Sequence, residues 1–170
     1  VGIYTIALKL AGLTGVILFA TNTILGPKIS ELYHNKNMQS LASTVQSAAK
    51  FTFLLSLPIF LIIILFPNFL LSIFGSEFNQ SALIFQILTL YFVCTAINSV
   101  FTFTLIGAEK EKVYLNSLLL GGAGFFGIML LPGPLPSSHF AAMGLVLFQV
   151  ISLLVMMREV QSFISFPMIR

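Results

Sequence analysis

Five long apolar stretches follow one another along this chain, and they constrain its fold more than any other feature. They cover roughly residues 3–25, 48–66, 83–106, 113–131 and 140–157. Each is close to the length of about 20 residues that an α-helix needs to cross the hydrocarbon core of a bilayer. Lipid offers no hydrogen-bond partners, so a spanning segment must pair its own backbone groups, as a helix does. We therefore expect an all-α, polytopic membrane helix bundle with about five transmembrane helices.

The composition excludes an ordinary soluble domain. Hydrophobic residues make up 58% of the chain and charged residues 8%, whereas soluble domains average about 45–50% and about 25%. The chain begins at Val1 without an initiating methionine, and it lacks the basic, apolar and small-residue regions of a signal peptide. We expect it to be a piece of a larger membrane protein.

The connections between the stretches predict how each span ends. Gly26 and Pro27 are expected to close the first span, because proline removes a helical hydrogen bond and glycine tolerates the end geometry. Asn37 is a candidate N-cap. Apolar residues then recur at helical spacing, at Leu41, Val45, Ala48 and Ala49. This pattern predicts a short interfacial amphipathic helix that runs into the second span.

Two further connections are short. Residues 67–80 are apolar but broken by proline and glycine, which favours a short interfacial helix and a turn, and residues 107–112 form a tight, charged turn. On the fourth span, Ala123 and Gly127 lie four residues apart, a spacing of small residues that permits close helix approach.

The basic residues alternate between connections, which predicts the orientation in the membrane. Seven of the eight fall at one side of the five expected spans: Lys28, Lys36, Lys50, Lys110, Lys112, Arg158 and Arg170. Because lysine and arginine are retained on the cytoplasmic side, we expect that side to face the cytoplasm. The first residues would then lie outside, and residues 158–170 would form a cytoplasmic tail.

Lys9 is the exception, because it lies inside the first apolar stretch. A lysine at the centre of a span costs roughly 2.5–3.5 kcal/mol on insertion scales. Two interpretations stay open. The long side chain reaches the outer headgroups, or the ammonium faces a water-filled cavity and meets an anionic ligand.

Several uncharged polar residues also lie within the expected spans. Together with Lys9, we take Asn22, Gln86 and Asn98 as candidates for a substrate-binding cavity. Other polar residues in the spans are Thr23, Asn116, Ser117, Gln149 and Ser152. Taken singly, each is expected to link helices by hydrogen bonds of about 0.6 kcal/mol, and taken together they favour a polar lumen.

Enzyme and cofactor signatures are absent from the sequence. The five acidic residues are all glutamates and lie in connections or at span ends, and His34 and His139 lack metal-ligand spacing. No nucleophile–histidine–acid pattern, glycine-rich phosphate loop or basic aromatic face for nucleic acid occurs. We expect neither an enzyme nor a bound cofactor or metal, and no nucleic-acid partner.

Three motifs, in their order and spacing, carry a resemblance to a known family. They are "PKISELY" at 27–33, "IFGSEF" at 73–78 and "GAEK" at 107–110. The chain resembles polysaccharide (O-antigen-type) flippases of the multidrug/oligosaccharidyl-lipid/polysaccharide exporter superfamily. The resemblance implies two helical lobes around a central cavity that moves lipid-linked sugars to the outer leaflet by alternating access.

The same resemblance implies the setting of the chain. Residues 1–157 look like most of the second lobe of a transporter in the cell inner membrane. The implied partners are a lipid-linked oligosaccharide (a polyprenyl pyrophosphate sugar), membrane lipids and the N-terminal lobe of the same protein. Lys9 becomes the candidate contact for the lipid pyrophosphate.

Two alternatives stay open at this point. A multidrug or other small-molecule exporter of the same superfamily would be favoured by an essential acidic residue within the membrane in the rest of the protein. A non-transporting membrane scaffold would place Lys9, Gln86 and Asn98 against headgroups or neighbouring helices rather than in a shared lumen.

Overall fold

Helices and turns make up the part of the chain that the structure describes. A computed structural model describes residues 5, 8–9, 11–12, 16–130 and 137–164. In order, the elements are α1 (Val16–His34), α2 (Met38–Leu65), α3 (Pro67–Ser72), a 3₁₀ helix (Ser76–Ser81), α4 (Ala82–Gly107), α5 (Glu111–Met129) and α6 (Ser137–Ile164). The expected all-α helix bundle is confirmed.

Four helices among the described residues are long and apolar enough to cross a membrane. They are Met38–Leu65, Phe78–Gly107, Glu111–Met129 and Ser138–Ile164, and they match the second to fifth predicted spans. Residues 16–25 of the first predicted span, residues 3–25, belong to α1, and the span as a whole stays a prediction. The last helix continues to Ile164, so residues 158–164 of the predicted tail extend α6.

The expectation that Gly26 and Pro27 close the first span is wrong. α1 runs through Pro27, which is exposed, and ends only at His34. Leu25, Ile29 and Leu32 lie at helical spacing and are at most 8% exposed. Burial of this stripe on both sides of the proline compensates for the one backbone hydrogen bond that proline removes.

The predicted amphipathic segment is helical, but it is not a separate surface helix. Asn37 caps α2 as expected, since its side-chain oxygen accepts a hydrogen bond of 3.1 Å from the backbone N–H of Ser40. From there α2 is one helix of 28 residues that includes the second span. Leu41 and Val45 are fully buried, so the apolar face of the segment packs on the other helices rather than on lipid headgroups.

α4 is the central helix of the described bundle and carries the most buried side chains. It packs on α6, α2 and α1, while α5 packs mainly on α6. Near the α4 C-terminus a core cluster gathers around Ile29, Leu41 and Leu105. A second cluster gathers near its N-terminus around Phe85 and Leu88. The stretch of α4 between these clusters faces the site described below.

Two similar turns lie side by side at one end of the bundle. After α1, Asn37 N–H donates to Leu32 O at 3.0 Å, and after α4, Lys110 N–H donates to Leu105 O at 2.8 Å. Each turn needs one left-handed residue, Lys36 (φ 54°) or Glu109 (φ 56°).

This end of the bundle carries the basic residues that the sequence groups together. His34 Nε2 lies 3.9 Å from Glu109 Oε1, which joins the two turns. Lys28 lies on α1 and Lys36 on the turn after it, while Lys110 lies on the second turn and Lys112 at the start of α5. The grouping of these lysines is therefore a structural fact, and the side of the membrane that they face stays a prediction.

α5 and α6 approach closely, but through other glycines than the expected pair. Ala123 is exposed and a Cβ at Gly127 would meet nothing within 4 Å. A Cβ at Gly121 would instead lie 2.8 Å from the Phe148 carbonyl oxygen, and one at Gly144 would lie 2.8 Å from Ile128 Cγ2. These contacts bring the two helices together beside the polar site.

Candidate functional site

One face of α4 carries four small polar side chains at the centre of its apolar sequence. Thr95, Asn98, Ser99 and Thr102 follow the i, i+3, i+4, i+7 pattern that places residues on one side of a helix. This face lies against α5 and α6. Buried polar groups in such a place need hydrogen-bond partners, and most of them find these on α6.

A pair of buried amides connects α4 with α6. Asn98 is 4% exposed and Gln149 is 7% exposed. The Asn98 amide nitrogen donates to the Gln149 backbone oxygen at 2.9 Å and also to Gln149 Oε1. The Gln149 amide nitrogen in turn donates to Thr95 Oγ1 at 2.8 Å. The network holds both side chains in one orientation across the helix contact.

Asn98 Oδ1 is left without a hydrogen-bond partner among the described residues. An unpaired buried acceptor costs about 1–3 kcal/mol of desolvation. A ligand or water that donates a hydrogen bond to this oxygen would recover that free energy. The buried oxygen therefore marks a place where a donor group is favoured.

A cavity of about 180 Å³ lies against this network. Its polar lining residues are Thr95, Asn98, Ser99, Thr102, Tyr114, Gln149 and Ser152, and its apolar ones are Phe103, Leu118, Phe148 and Met156. None of these side chains is charged. The lining therefore offers a ligand hydrogen bonds and apolar contacts but no ion pair.

Two serine hydroxyl groups of the lining donate their protons to backbone oxygens of the protein. Ser99 Oγ donates to Ala96 O at 2.8 Å, on its own helix. Ser152 Oγ donates to Ser117 O at 3.0 Å and so joins α6 to α5. Because these protons are already used, the oxygens remain available as acceptors. Such a lining suits a ligand that donates hydrogen bonds, such as a hydroxyl-rich one.

Of the predicted site residues whose side chains the structure describes, one lies in the cavity and two do not. Asn98 lies in the cavity. Gln86 does not, because its side-chain nitrogen donates to the Ile64 backbone oxygen at 3.0 Å and so links α4 to the end of α2. At 1.5 Å per residue, Gln86 lies about 18 Å along α4 from Asn98.

The other two predicted residues lie towards the N-terminus. Lys9 is helical and exposed, and it does not line the polar cavity. The side chain of Asn22 lies outside the described residues, so its role stays a prediction.

Part of the site was not predicted from the sequence. Gln149 and Ser152 were expected only as polar residues of a span, and Thr95, Ser99, Thr102 and Tyr114 were not expected in the site. The helical spacing around Asn98 is the signal that would have found the three α4 residues. No feature of the sequence predicts that these three residues face α6.

Comparison with known proteins places the chain in a family. The model of the MatE family matches residues 1–130, which include α1 to α5. The α6 side of the cavity, with Gln149 and Ser152, lies beyond the matched residues. No curated protein and no solved structure matches the chain. Since the match covers most of the sequence, the chain belongs to the MatE family, whose members are membrane transporters of the multidrug/oligosaccharidyl-lipid/polysaccharide exporter superfamily and not enzymes.

Proposed function

We propose that this chain forms part of a transporter that flips a lipid-linked oligosaccharide across the cell inner membrane by alternating access. One observation carries the proposal. The cavity between α4, α5 and α6 is lined by uncharged polar side chains, among them Asn98, whose buried Oδ1 has no hydrogen-bond partner among the described residues. Sugar hydroxyls are neutral donors that match such acceptors.

The distribution of acidic residues supports the same proposal. Glu31, Glu109 and Glu111 are exposed at the ends of helices or in turns, and Glu159 lies near the C-terminus of α6. No described carboxylate lies in the polar cavity. A cationic drug would gain most from an acidic group in a low-dielectric site, since an unpaired charge is costly to bury.

The remaining parts of the proposal concern the whole protein. A polyprenyl pyrophosphate would carry the sugar, and the N-terminal lobe of the same protein would complete the transport pathway. Lys9 is the proposed contact for the pyrophosphate. The end of the bundle with Lys36 and Lys110 would face the cytoplasm, in accordance with the retention of basic residues on that side.

A multidrug exporter is the second candidate, and one observation favours it. Aromatic side chains of Phe103, Tyr114 and Phe148 line part of the same cavity. Aromatic faces attract organic cations, with about 0.5–2 kcal/mol per contact. The family match is equally compatible with this activity.

A hydroxyl variant tests the sugar-binding role with little disturbance of the fold. Ser99→Ala in the full-length protein removes an acceptor of the cavity but no hydrogen bond between helices. Loss of one such contact should lower lipid-linked sugar transport roughly two- to tenfold. Ser56→Ala is the matched control, because this buried hydroxyl also donates within its own helix, to Thr52 O at 2.7 Å, and lies outside the cavity.

The assay measures, in proteoliposomes, how fast the sugar of a lipid-linked oligosaccharide becomes accessible to a lectin added outside. Efflux of a cationic dye is measured from the same preparation. Slower sugar transport in Ser99→Ala, with normal rates in Ser56→Ala, supports the proposal. Unchanged sugar transport together with slower dye efflux would favour the multidrug exporter instead.

A further inference from the structure

A larger groove lies on a different face of α4, between α2, α4 and α6. Its volume is about 720 Å³, within the range of about 300–1,000 Å³ that is usual for ligand sites. It shares no lining residue with the polar cavity. The groove and the polar cavity are therefore distinct surfaces of α4.

The walls of this groove are mainly apolar. Phe101 of α4 is 3% exposed and forms its floor, while Phe53 of α2 is 52% exposed and forms one side. Ala49 keeps the groove open, because its side chain is a single methyl group. Met157 of α6 completes the opposite side with a flexible side chain that adapts to an apolar ligand.

Two polar side chains of α2, Lys50 and Gln46, also line the groove. Lys50 is exposed and forms no ion pair with any described residue. Lys28, by comparison, pairs with Glu31 at 3.0 Å. The groove therefore combines an apolar slot with an ammonium group whose charge is not neutralised by the described residues.

The position of Lys50 along α2 matches a membrane interface. The helix is polar before this residue, with exposed Gln39, Ser43 and Ser47, and apolar after it, with exposed Phe51 and Phe53. Lys50 lies at the change between the two. An ammonium at this depth is placed to meet the phosphate of a lipid whose chain lies alongside the apolar half of the helix.

We propose that this groove binds an anionic glycerophospholipid of the membrane leaflet at the basic end of the bundle. One acyl chain lies in the apolar slot against Phe53 and Phe101, and the phosphate contacts Lys50. The amide of Gln46 donates a hydrogen bond to the same headgroup. Because the groove and the polar cavity share no residues, the occupant is a resident lipid and not the transported one. The proposal holds whether the transporter carries sugars or drugs.

Lipid binding to the purified full-length protein tests the proposal, with native mass spectrometry as the readout. Phosphatidylglycerol and phosphatidylcholine are titrated separately. One lysine near a membrane surface contributes about 1 kcal/mol to the binding of an anionic lipid, so Lys50→Gln should weaken phosphatidylglycerol binding roughly fivefold. Lys50→Arg should retain it. Lys112→Gln is the matched control, because Lys112 is exposed on α5 and does not line the groove.

A second variant tests the apolar slot independently of charge. Ala49→Phe fills the groove and should reduce retention of both lipids. If Lys50→Gln and Lys112→Gln weaken phosphatidylglycerol binding equally, general surface charge explains the binding, and the proposal is overturned. Unchanged lipid binding by Ala49→Phe would also overturn it. Displacement of phosphatidylglycerol by a polyprenyl phosphate would overturn it by assigning the groove to the transported lipid, and binding of neither lipid by the wild type would overturn it as well.

Discussion

Replacing Gly121 with alanine would disturb the contact between α5 and α6 beside the polar cavity. The added Cβ would lie 2.6 Å from Ser152 Oγ and 2.8 Å from the backbone oxygen of Phe148. Ser152 can rotate away, but then it loses its hydrogen bond of 3.0 Å to Ser117 O. The Phe148 carbonyl belongs to the α6 backbone and cannot rotate, so the two helices must separate by several tenths of an ångström.

These effects differ in sign, and their magnitudes decide the outcome. Overpacking of a tight contact costs about 1–3 kcal/mol. The lost hydrogen bond between helices costs about 0.6 kcal/mol, and the better helix propensity of alanine returns up to about 1 kcal/mol. Gly121→Ala should therefore lower the free energy of unfolding by about 0.6–3.6 kcal/mol. Gly122→Ala should raise it by up to about 1 kcal/mol, because a Cβ there meets nothing within 4 Å.

Thermal unfolding of the full-length protein in detergent measures both changes. A thiol-reactive fluorescent dye reports the exposure of Cys94, which is half-buried in the folded chain. Opposite shifts of the unfolding midpoint for the neighbouring variants would support the close approach at Gly121. A stabilising shift for both variants would refute the reasoning, since helix propensity alone would then explain the result.

Four further predictions concern the turns, the topology and the transported lipid. Lys36→Gly should stabilise the protein by about 1 kcal/mol, because its φ of 54° is left-handed, and the unfolding midpoint checks this. Asn37→Ala should destabilise the protein by about 1 kcal/mol, because the hydrogen bond from Ser40 N–H to the N-cap is lost. An unchanged unfolding midpoint would show that this cap does not stabilise the protein. A cysteine at Lys110 should resist impermeant reagents added to intact cells, and labelling from outside would invert the proposed topology. Lys9→Ala should slow lipid-linked sugar transport at normal protein levels, and an unchanged rate would exclude Lys9 as the pyrophosphate contact.

Several features of the fold followed from local sequence signals. The apolar stretches predicted the second to fifth spans, and the residues between α4 and α5 predicted a tight turn. Asn37 was found as an N-cap because the signal for a cap lies within one helical turn. Such features depend on neighbours in the sequence, so they are visible without the tertiary structure.

Other features depended on contacts between distant helices. α1 continues through Pro27 because Ile29 and Leu32 are buried against other elements, which proline alone does not reveal. Gln86 and Asn98 are amides on the same helix, yet one links α4 to the end of α2 and the other faces the cavity. The rotation of each helix about its axis decides such differences, and neighbouring helices set that rotation.

The sequence by itself determined that this chain is a bundle of membrane-spanning helices with most of its lysines at one end. Apolar length and charge placement are properties of single segments, and the bilayer acts on each segment separately. Only the tertiary structure decided that Asn98 meets Gln149, 51 residues away, beside an uncharged cavity. That meeting depends on the packing of α4 on α6 through their own side chains, and no local pattern encodes which polar groups two helices bring together.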